Sequence, residues 1–305
     1  MTMGGDVSSA ADATTRRVVA IINPVTRGNS NALSDILRAT VPSGVTLDIV
    51  VTDERESASR IAREASSSAS IVVAVGGDGT VADVAGGILG TGIPLGIIPV
   101  GSTNIIAKDL NIPLAAERAA SLLFGTHQFA TIDVGRCGPR VFLHMAGAGL
   151  DSQFFERTNP SLKRRFGWFA YVPSAIRALR FPASTCSLRI DGQLITVHSR
   201  LILVANGGSI AHPRLQLVKD IRPDDGWLDV LIFTGSGVGS SVRTLRQLLT
   251  RQISESGELI QTKARRVELT AVPPLKIQLD GDVVDRTPAV FTVDPAALRV
   301  IVPVG

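Results

Sequence analysis

The sequence predicts an α/β N-terminal domain with a mainly parallel sheet, followed by a mainly antiparallel β-sandwich C-terminal domain. Up to about residue 130, β-branched runs alternate with segments of helical spacing, which is typical of a parallel sheet covered by helices. Beyond that point, short strand-like runs follow one another closely, which favours an antiparallel sandwich. We expect domains at 17–130 and 131–298, a disordered lead over 1–16, and a last strand at 299–305 that is a candidate to return to the first domain.

Composition excludes several classes of protein. A chain of 305 residues with 45% hydrophobic and 19% charged residues is long enough for two cores and too apolar to be disordered. The longest uncharged apolar stretch of the first half, 84–101, contains six Gly and two Pro residues, so we expect no membrane-spanning helix. The N-terminus lacks the apolar run of a signal peptide. Two cysteines, Cys137 and Cys186, form no disulfide framework, which favours a reducing cytoplasm.

The first domain contains four strand-like runs and three segments of helical spacing. The predicted strands are Arg17–Ile22, Leu47–Thr52, Ile71–Val75 and Leu95–Ile98, and the predicted helices are Asn31–Ala39, Ser57–Ala65 and Val81–Leu89. Another helix is expected soon after the fourth strand.

The second domain consists mostly of strands. They are predicted at Thr131–Gly135, Arg140–Ala146, Ser187–Ile190, Thr196–Ala205, Leu228–Phe233, Arg266–Thr270, Lys276–Leu279, Val290–Val293 and Arg299–Val302, with one helix at Val242–Arg251.

A glycine turn follows the third strand. It consists of Gly76, Gly77, Asp78, Gly79 and Thr80, and the predicted helix begins directly after it. Glycines let the backbone approach a phosphate, and a helix N-terminus presents N–H groups to it. An acid beside phosphates is explained if Mg²⁺ mediates the contact. The alternatives are an ordinary tight turn and a dinucleotide fingerprint, but the next strand ends without the acid that the fingerprint requires.

A second polar turn follows the fourth strand. Ser102, Thr103 and Asn104 come after Gly101, at the carboxyl end of a strand, where open α/β sheets bind ligands. Two adjacent strands that both end in such turns predict a double phosphate cradle, whereas two unrelated turns would be a coincidence.

Four motifs in this order resemble the catalytic domain of diacylglycerol kinases and sphingoid-base kinases, and most closely the small bacterial lipid kinases. They are an Asn23-Pro24 turn, GGDGTVADVAGG with PLGIIPVGSTN, the segment LVANGG…DDGWLDVLIF, and IQLDGDVV. The resemblance extends from about Arg17 to Pro303.

The resemblance implies a nucleotide site for ATP between two domains. Asn23, the turn at 76–80 and the turn at 102–104 match its nucleotide-contacting residues, and Asp78 matches its Mg²⁺ turn. Asp280 matches the proposed general base, and Asp282 stands where the family usually has a Mg²⁺-interacting Glu. Asp225 resembles a residue of a structural metal site in some bacterial members.

The sequence departs from the family pattern at three places. Ile105 stands where many diacylglycerol kinases have Asp, whereas sphingoid-base kinases and some other relatives also have an apolar residue there. Lys108 replaces an Arg of the family. The first loop, which contains Arg27, does not follow the common pattern. Taken alone, Asp280-Gly281 also fits a hairpin turn.

A basic, aromatic stretch occupies Arg157–Arg189. It contains seven basic residues, five aromatic residues and no acid. Together with a net charge of +4, this composition predicts an edge that faces an anionic membrane, and Lys163, Arg164 and Arg165 are the residues whose neutralisation tests it. A solvated face and a single-stranded nucleic-acid site are the alternatives. We expect no nucleic acid, and the sequence leaves a homodimer open.

The combined interpretation is a Mg²⁺-dependent kinase that transfers phosphate from ATP to a lipid hydroxyl, foremost that of diacylglycerol. We expect it in the cytoplasm, bound peripherally to the membrane. A sphingoid-base or other lipid kinase is the alternative. An NAD kinase shares the glycine turn, but its acidic substrate motif is missing from this sequence. A catalytically silent lipid-binding protein would be favoured by the loss of Asp78 or Asp280, and both are present.

Overall fold

Two compact units make up the structure, a computed structural model that describes residues 16–24, 29–53, 55–149, 183–210, 212–216, 221–234 and 259–304. The first unit consists of the chain up to Val134 and of the segment from Pro295 onward, and the second unit runs from Gly135 to Asp294. No helix in these ranges combines the length and the hydropathy needed to cross a membrane.

The first unit is built on a parallel sheet. Its elements are β1 Arg16–Ile22, α1 Ser30–Thr40, β2 Val45–Val51, α2 Arg55–Ala65, β3 Ile71–Gly76, α3 Asp78–Ile88, β4 Leu95–Pro99, α4 Ile105–Asp109 and α5 Ala116–Phe124. The strands run in the order β2-β1-β3-β4, and every pair is parallel. Both central strands β3 and β4 are buried along their whole length, which explains their continuous apolar sequence. The predicted α/β fold is confirmed.

Helix α5 was not predicted from the sequence. Its buried face consists of Ala119, Ala120 and Leu123, and it packs against α1. Alanines give a weak periodic signal, so a nine-residue helix with such a face is hard to find from the pattern alone.

The second unit is a two-layer antiparallel sandwich. The remaining elements of the chain, of which β5 and β18 belong partly to the first unit, are β5 Gln128–Cys137, β6 Arg140–Phe142, β7 Met145–Gly149, β8 Ser184–Ile190, β9 Gln193–Ser199, β10 Leu201–Ala205, β11 Ser209–Ile210, β12 His212–Gln216, β13 Leu228–Phe233, β14 Leu259–Ala264, β15 Arg266–Val272, β16 Lys276–Leu279, β17 Asp282–Arg286 and β18 Ala289–Val302. One layer has the order β14-β13-β10-β7-β16-β17. The other contains β9, β8, β15 and the first part of β18. Side chains such as Val230 and Leu188 fill the core between them, and the predicted sandwich is confirmed.

Several predicted strands have different limits in the structure. The run predicted at 140–146 divides into β6 and β7, because Leu143 and His144 turn their N–H groups away to Asp280. The run predicted at 196–205 divides at Ser199, whose hydroxyl accepts the Leu201 N–H and donates to the Phe233 carbonyl.

The last two predicted strands form one. β18 pairs with β15 in its first part and with β4 at Val300. β11, β12, β14 and β17 were not predicted, and the helix predicted at Val242–Arg251 lies outside the described residues.

Candidate functional site

The carboxyl ends of three neighbouring parallel strands carry the predicted nucleotide-binding residues of the first unit. β1 ends before Asn23, β3 ends in Gly76, and β4 ends before the turn that contains Gly101. β1 lies between β2 and β3, so the strand order reverses direction beside it. Such a reversal is where ligands bind in open α/β sheets.

The first glycine turn is shorter than the sequence predicted. Gly77 is the N-cap of α3, with extended backbone angles, and Asp78, Gly79 and Thr80 form the first turn of the helix. As a glycine, Gly77 provides no side-chain capping hydrogen bond to α3. The first-turn N–H groups of a helix have no partner within it, and they favour negative charge. This end of α3 therefore has the chemistry of an anion site.

Thr80 supports this turn from below. Its side chain is 3% exposed and packs over Gly76, where any Cβ would overlap it. Its hydroxyl accepts a hydrogen bond of 3.1 Å from the Asn23 amide, which joins the end of β1 to α3. Thr80 thus holds Asn23 in place from a buried position.

The second turn closes on its own asparagine. Asn104 has a φ of 50°, in the left-handed region. Its Oδ1 accepts the Gly101 N–H at 2.9 Å, and its Nδ2 donates to the Gly101 carbonyl at 3.2 Å. Ser102 at the tip is exposed and Thr103 is half-buried. Asn104 therefore shapes the turn, and the two hydroxyl residues stand at its surface.

The two turns are in backbone contact. A Cβ at Gly101 would overlap the Gly77 Cα, and the Val100 N–H donates to the Gly76 carbonyl at 3.0 Å. The Asp78 carboxylate accepts the Ile106 N–H at 3.1 Å, at the start of α4. This contact holds α4 against α3, so the two turns form one surface.

In the second unit, Asp280 occupies a two-residue hairpin turn between β16 and β17. Asp280 and Gly281 both have positive φ, 47° and 95°, while Leu279 and Asp282 pair across the turn. Positive φ at both positions is typical of a type I′ turn. The hairpin considered as an alternative is therefore present, and the Asp280 side chain has contacts that a hairpin does not require.

Three consecutive backbone N–H groups hold the Asp280 carboxylate. Oδ2 accepts from Leu143 at 2.8 Å, and Oδ1 accepts from His144 at 3.0 Å and from Met145 at 2.9 Å. Burial raises the pKa of Asp280 to about 6, although these hydrogen bonds oppose the increase. A fixed carboxylate with such a pKa can accept a proton near neutral pH.

Asn206 is a residue of this site that the sequence analysis quoted only as part of a motif. It is fully buried, and its Nδ2 donates to the Leu143 carbonyl at 2.9 Å. The N–H groups of Asn206 and Gly207 both donate to the His144 carbonyl at 2.8 Å. Asn206 thus holds the other side of the segment that binds Asp280, a role that no local pattern reveals.

The predicted Mg²⁺ residues are carboxylates, the oxygen ligands that this ion prefers. Asp78 lies in the first turn of α3, and Asp282 is the first residue of β17. Within the described ranges, no three His, Cys, Asp or Glu side chains are grouped as a metal site. Mg²⁺ usually keeps several water and phosphate oxygens as ligands, so a single protein carboxylate is enough to contribute to its binding.

Asp225 has different surroundings. One of its oxygens accepts the Trp227 N–H at 3.0 Å, and the other forms a salt bridge with Lys263. An ammonium group on this carboxylate does not fit the structural metal that the resemblance implied.

Most of the predicted membrane-facing stretch lies outside the described residues, including Lys163, Arg164 and Arg165. Its last member, Arg189, lies in β8 and is 3.7 Å from Glu268 across the β8–β15 pair.

Two family models match consecutive parts of the chain. The diacylglycerol kinase catalytic domain matches residues 17–137, and the YegS C-terminal NAD kinase beta sandwich-like domain matches residues 144–302.

Curated proteins and solved structures agree with these matches. A Pseudomonas putida protein named "Probable lipid kinase YegS-like" is 33% identical over 86% of this chain and 88% of its own length. An uncharacterized Synechocystis protein is 27% identical over 93% of this chain and 70% of its own. A crystal structure of a "putative diacylglycerol kinase" from Bacillus anthracis has a TM-score of 0.77 at 23% identity, covering 94% of this chain and 97% of that chain, which shows the shared fold.

Proposed function

The chain belongs to the lipid kinase family that combines a diacylglycerol kinase catalytic domain with a YegS-type C-terminal domain, and on this premise we propose that it phosphorylates diacylglycerol with ATP. The observation that carries the proposal is the backbone contact between Gly77 and Gly101. It joins two glycine turns at the carboxyl edge of a parallel sheet, where α/β folds bind the phosphates of nucleotides.

The proposed nucleotide site uses backbone more than side chains. The N–H groups at the start of α3 bind phosphate oxygens, since its N-cap residue Gly77 has no side chain to occupy them. Asn23 contacts the nucleotide from the end of β1, in the position that its bond to Thr80 maintains. Ser102 and Thr103 add hydroxyl donors from the second turn. Phosphoryl transfer depends mainly on such positioning and on neutralising charge.

Asp280 is the proposed general base. The acceptor hydroxyl gives its proton to the Asp280 carboxylate as its oxygen forms a bond to the γ-phosphorus. The bond from that phosphorus to the β–γ bridging oxygen breaks, and ADP leaves with the electron pair. The three N–H groups of residues 143–145 support this role by fixing the direction of the carboxylate. Mg²⁺, when bound with the nucleotide, supplies the charge that neutralises the phosphates, and Asp78 and Asp282 would hold it.

The proposed acceptor implies contact with a membrane, because diacylglycerol resides there. The basic, aromatic stretch Arg157–Arg189 has the composition for an anionic surface. Neutralising Lys163, Arg164 and Arg165 should weaken binding to anionic vesicles, and unchanged binding would exclude the stretch as the membrane contact.

The deciding experiment measures phosphate transfer from labelled ATP to diacylglycerol, sphingosine, ceramide, monoacylglycerol and NAD. We expect diacylglycerol to be the best acceptor and Asp280→Asn to slow the transfer by about 100-fold or more. A preference for sphingosine would instead favour the sphingoid-base alternative, which Ile105 supports because many diacylglycerol kinases have Asp there. Transfer to NAD alone, or to none of the five, would overturn the proposal.

A further inference from the structure

A charged cluster, here called the Lys263 cluster, lies at the start of β13 and consists of Asp225, Asp229 and Lys263. Asp229 and Lys263 face each other across the β13–β14 pair, and Asp225 lies in the turn just before β13. None of the three belongs to the proposed phosphoryl-transfer machinery, so the inference does not rest on the proposed function.

One carboxylate oxygen in the cluster is buried without a hydrogen-bond partner. Asp229 is 1% exposed, its Oδ1 accepts from the Gln261 amide at 3.2 Å, and its Oδ2 has no hydrogen bond from any residue that the structure describes. The Lys263 ammonium lies 3.9 Å from that oxygen. A buried carboxylate is costly unless positive charge compensates it, so the position of Lys263 is significant.

The Lys263 ammonium lies near both the Asp225 and the Asp229 carboxylates. Its ammonium forms the salt bridge with Asp225 and also faces Asp229. The two neighbouring arginines have other partners: Arg222 binds both oxygens of Asp224 at 3.0 and 3.1 Å, and Arg265 lies over the Trp227 ring at 4.6 Å. Lys263 is thus the cation that reaches the two carboxylates among the described side chains.

We propose that the Lys263 ammonium is the resident cation of this cluster and takes the place of the divalent metal expected at Asp225. A divalent ion binds carboxylate oxygens at roughly 2.0–2.6 Å. It cannot reach the Asp225 oxygen while the ammonium occupies it, because the two positive charges repel each other. Removing the ammonium leaves two converging carboxylates, which is the donor chemistry of a Mg²⁺ or Ca²⁺ site.

The test is thermal unfolding of the full chain without nucleotide, in chelator or in millimolar MgCl₂ or CaCl₂. Wild type, Lys263→Arg and Asp225→Asn should show the same cation response, since none holds a metal here. Lys263→Met keeps a side chain of similar length and loses the charge. In chelator, this variant should unfold at a lower temperature than the wild type. Cation should then raise its melting temperature by about 3 °C more than that of wild type, and adding Asp225→Asn should remove the gain.

Two outcomes would overturn the proposal. One is a cation response in wild type that Asp225→Asn abolishes, which would mean that a metal binds despite Lys263. The other is a folded Lys263→Met protein that gains no response. If that variant does not fold, calorimetric titration of wild type and Asp225→Asn with Ca²⁺ decides, because the proposal requires identical isotherms. None of these measurements depends on kinase activity, so a failed lipid assay would leave the result intact.

Discussion

In the first unit, the backbone forms the candidate nucleotide site and side chains such as Thr80 and Asn104 support it, whereas in the second unit the backbone supports one side chain, that of Asp280. The first arrangement suits a large anion, because many N–H groups can converge on phosphate oxygens. The second suits proton transfer, because a base must be fixed in direction and near its operating pH. The comparison predicts that variants of the two regions will affect different steps.

The largest effect is expected for Asp280→Asn. Removing a general base lowers turnover by about 100- to 10,000-fold. Affinity for ATP should change little, because the glycine turns remain intact. Steady-state kinetics measures turnover, and equilibrium nucleotide binding measures ATP affinity. In the variant the Leu143 N–H faces an amide instead of a carboxylate oxygen, so circular dichroism melting is needed to show that the fold is retained. If ATP affinity decreased by as large a factor as turnover, the assignment of nucleotide binding to the first unit and of proton transfer to Asp280 would be wrong.

The pH dependence should also report on Asp280. Since burial raises its pKa to about 6, kcat/KM should fall about tenfold per pH unit below that value as the carboxylate becomes protonated. The contribution of Asp280 to folding stability changes in the opposite direction, because it decreases as pH rises. A carboxyl with a raised folded-state pKa contributes stability fully below its ordinary value of 3.8, and this contribution is lost as pH rises through about 6.

As pH rises from 3.8 to about 6, the free energy of unfolding of the wild type should therefore decrease relative to that of Asp280→Asn. Chemical denaturation of both proteins across the range measures the difference. A constant difference would show that the Asp280 pKa is ordinary.

Gly101→Ala is expected to damage the first unit selectively. The new Cβ overlaps the Gly77 Cα and lies 2.8 Å from Asn104 Oδ1, so the two turns must separate. Overpacking of this kind lowers the free energy of unfolding by about 1–3 kcal/mol, and ATP affinity should fall with it. The matched control is Gly77→Ala, whose Cβ has a milder contact, 3.3 Å from Gly101 Cα. Equal effects of the two substitutions would argue against the contact as the cause.

Asn206→Ala should destabilise the protein about as much as Gly101→Ala and have a smaller effect on ATP affinity. The buried Leu143 carbonyl loses its side-chain donor, at a cost of about 1–3 kcal/mol in the free energy of unfolding. If Asn206 positions the base, kcat should fall and the bend of the pH profile should move from about 6, while ATP affinity stays the same. A loss of stability with an unchanged profile would limit Asn206 to a structural role.

Local sequence patterns determined the first unit almost completely. The apolar runs of β1, β3 and β4 and the glycines at 76, 77 and 101 are short-range signals, because a buried parallel strand and a tight turn each restrict residues that are close in sequence. The pattern was wrong where local signals were weak, as at α5 with its alanine face. It also placed the start of α3 three residues late, because the glycine turn itself opens the helix.

Only the tertiary structure decided how the charged residues are used. The motif identified Asp280, but its partners at 143–145 and Asn206 are far away in the chain, and their roles depend on how β7, β10 and β16 pair. The β13–β14 register brings Lys263 to the Asp225 carboxylate, a contact that spacing along the chain does not reveal. Spacing along a chain specifies turns and periodic faces, whereas the charge and pKa of a buried acid depend on long-range neighbours that folding alone brings together.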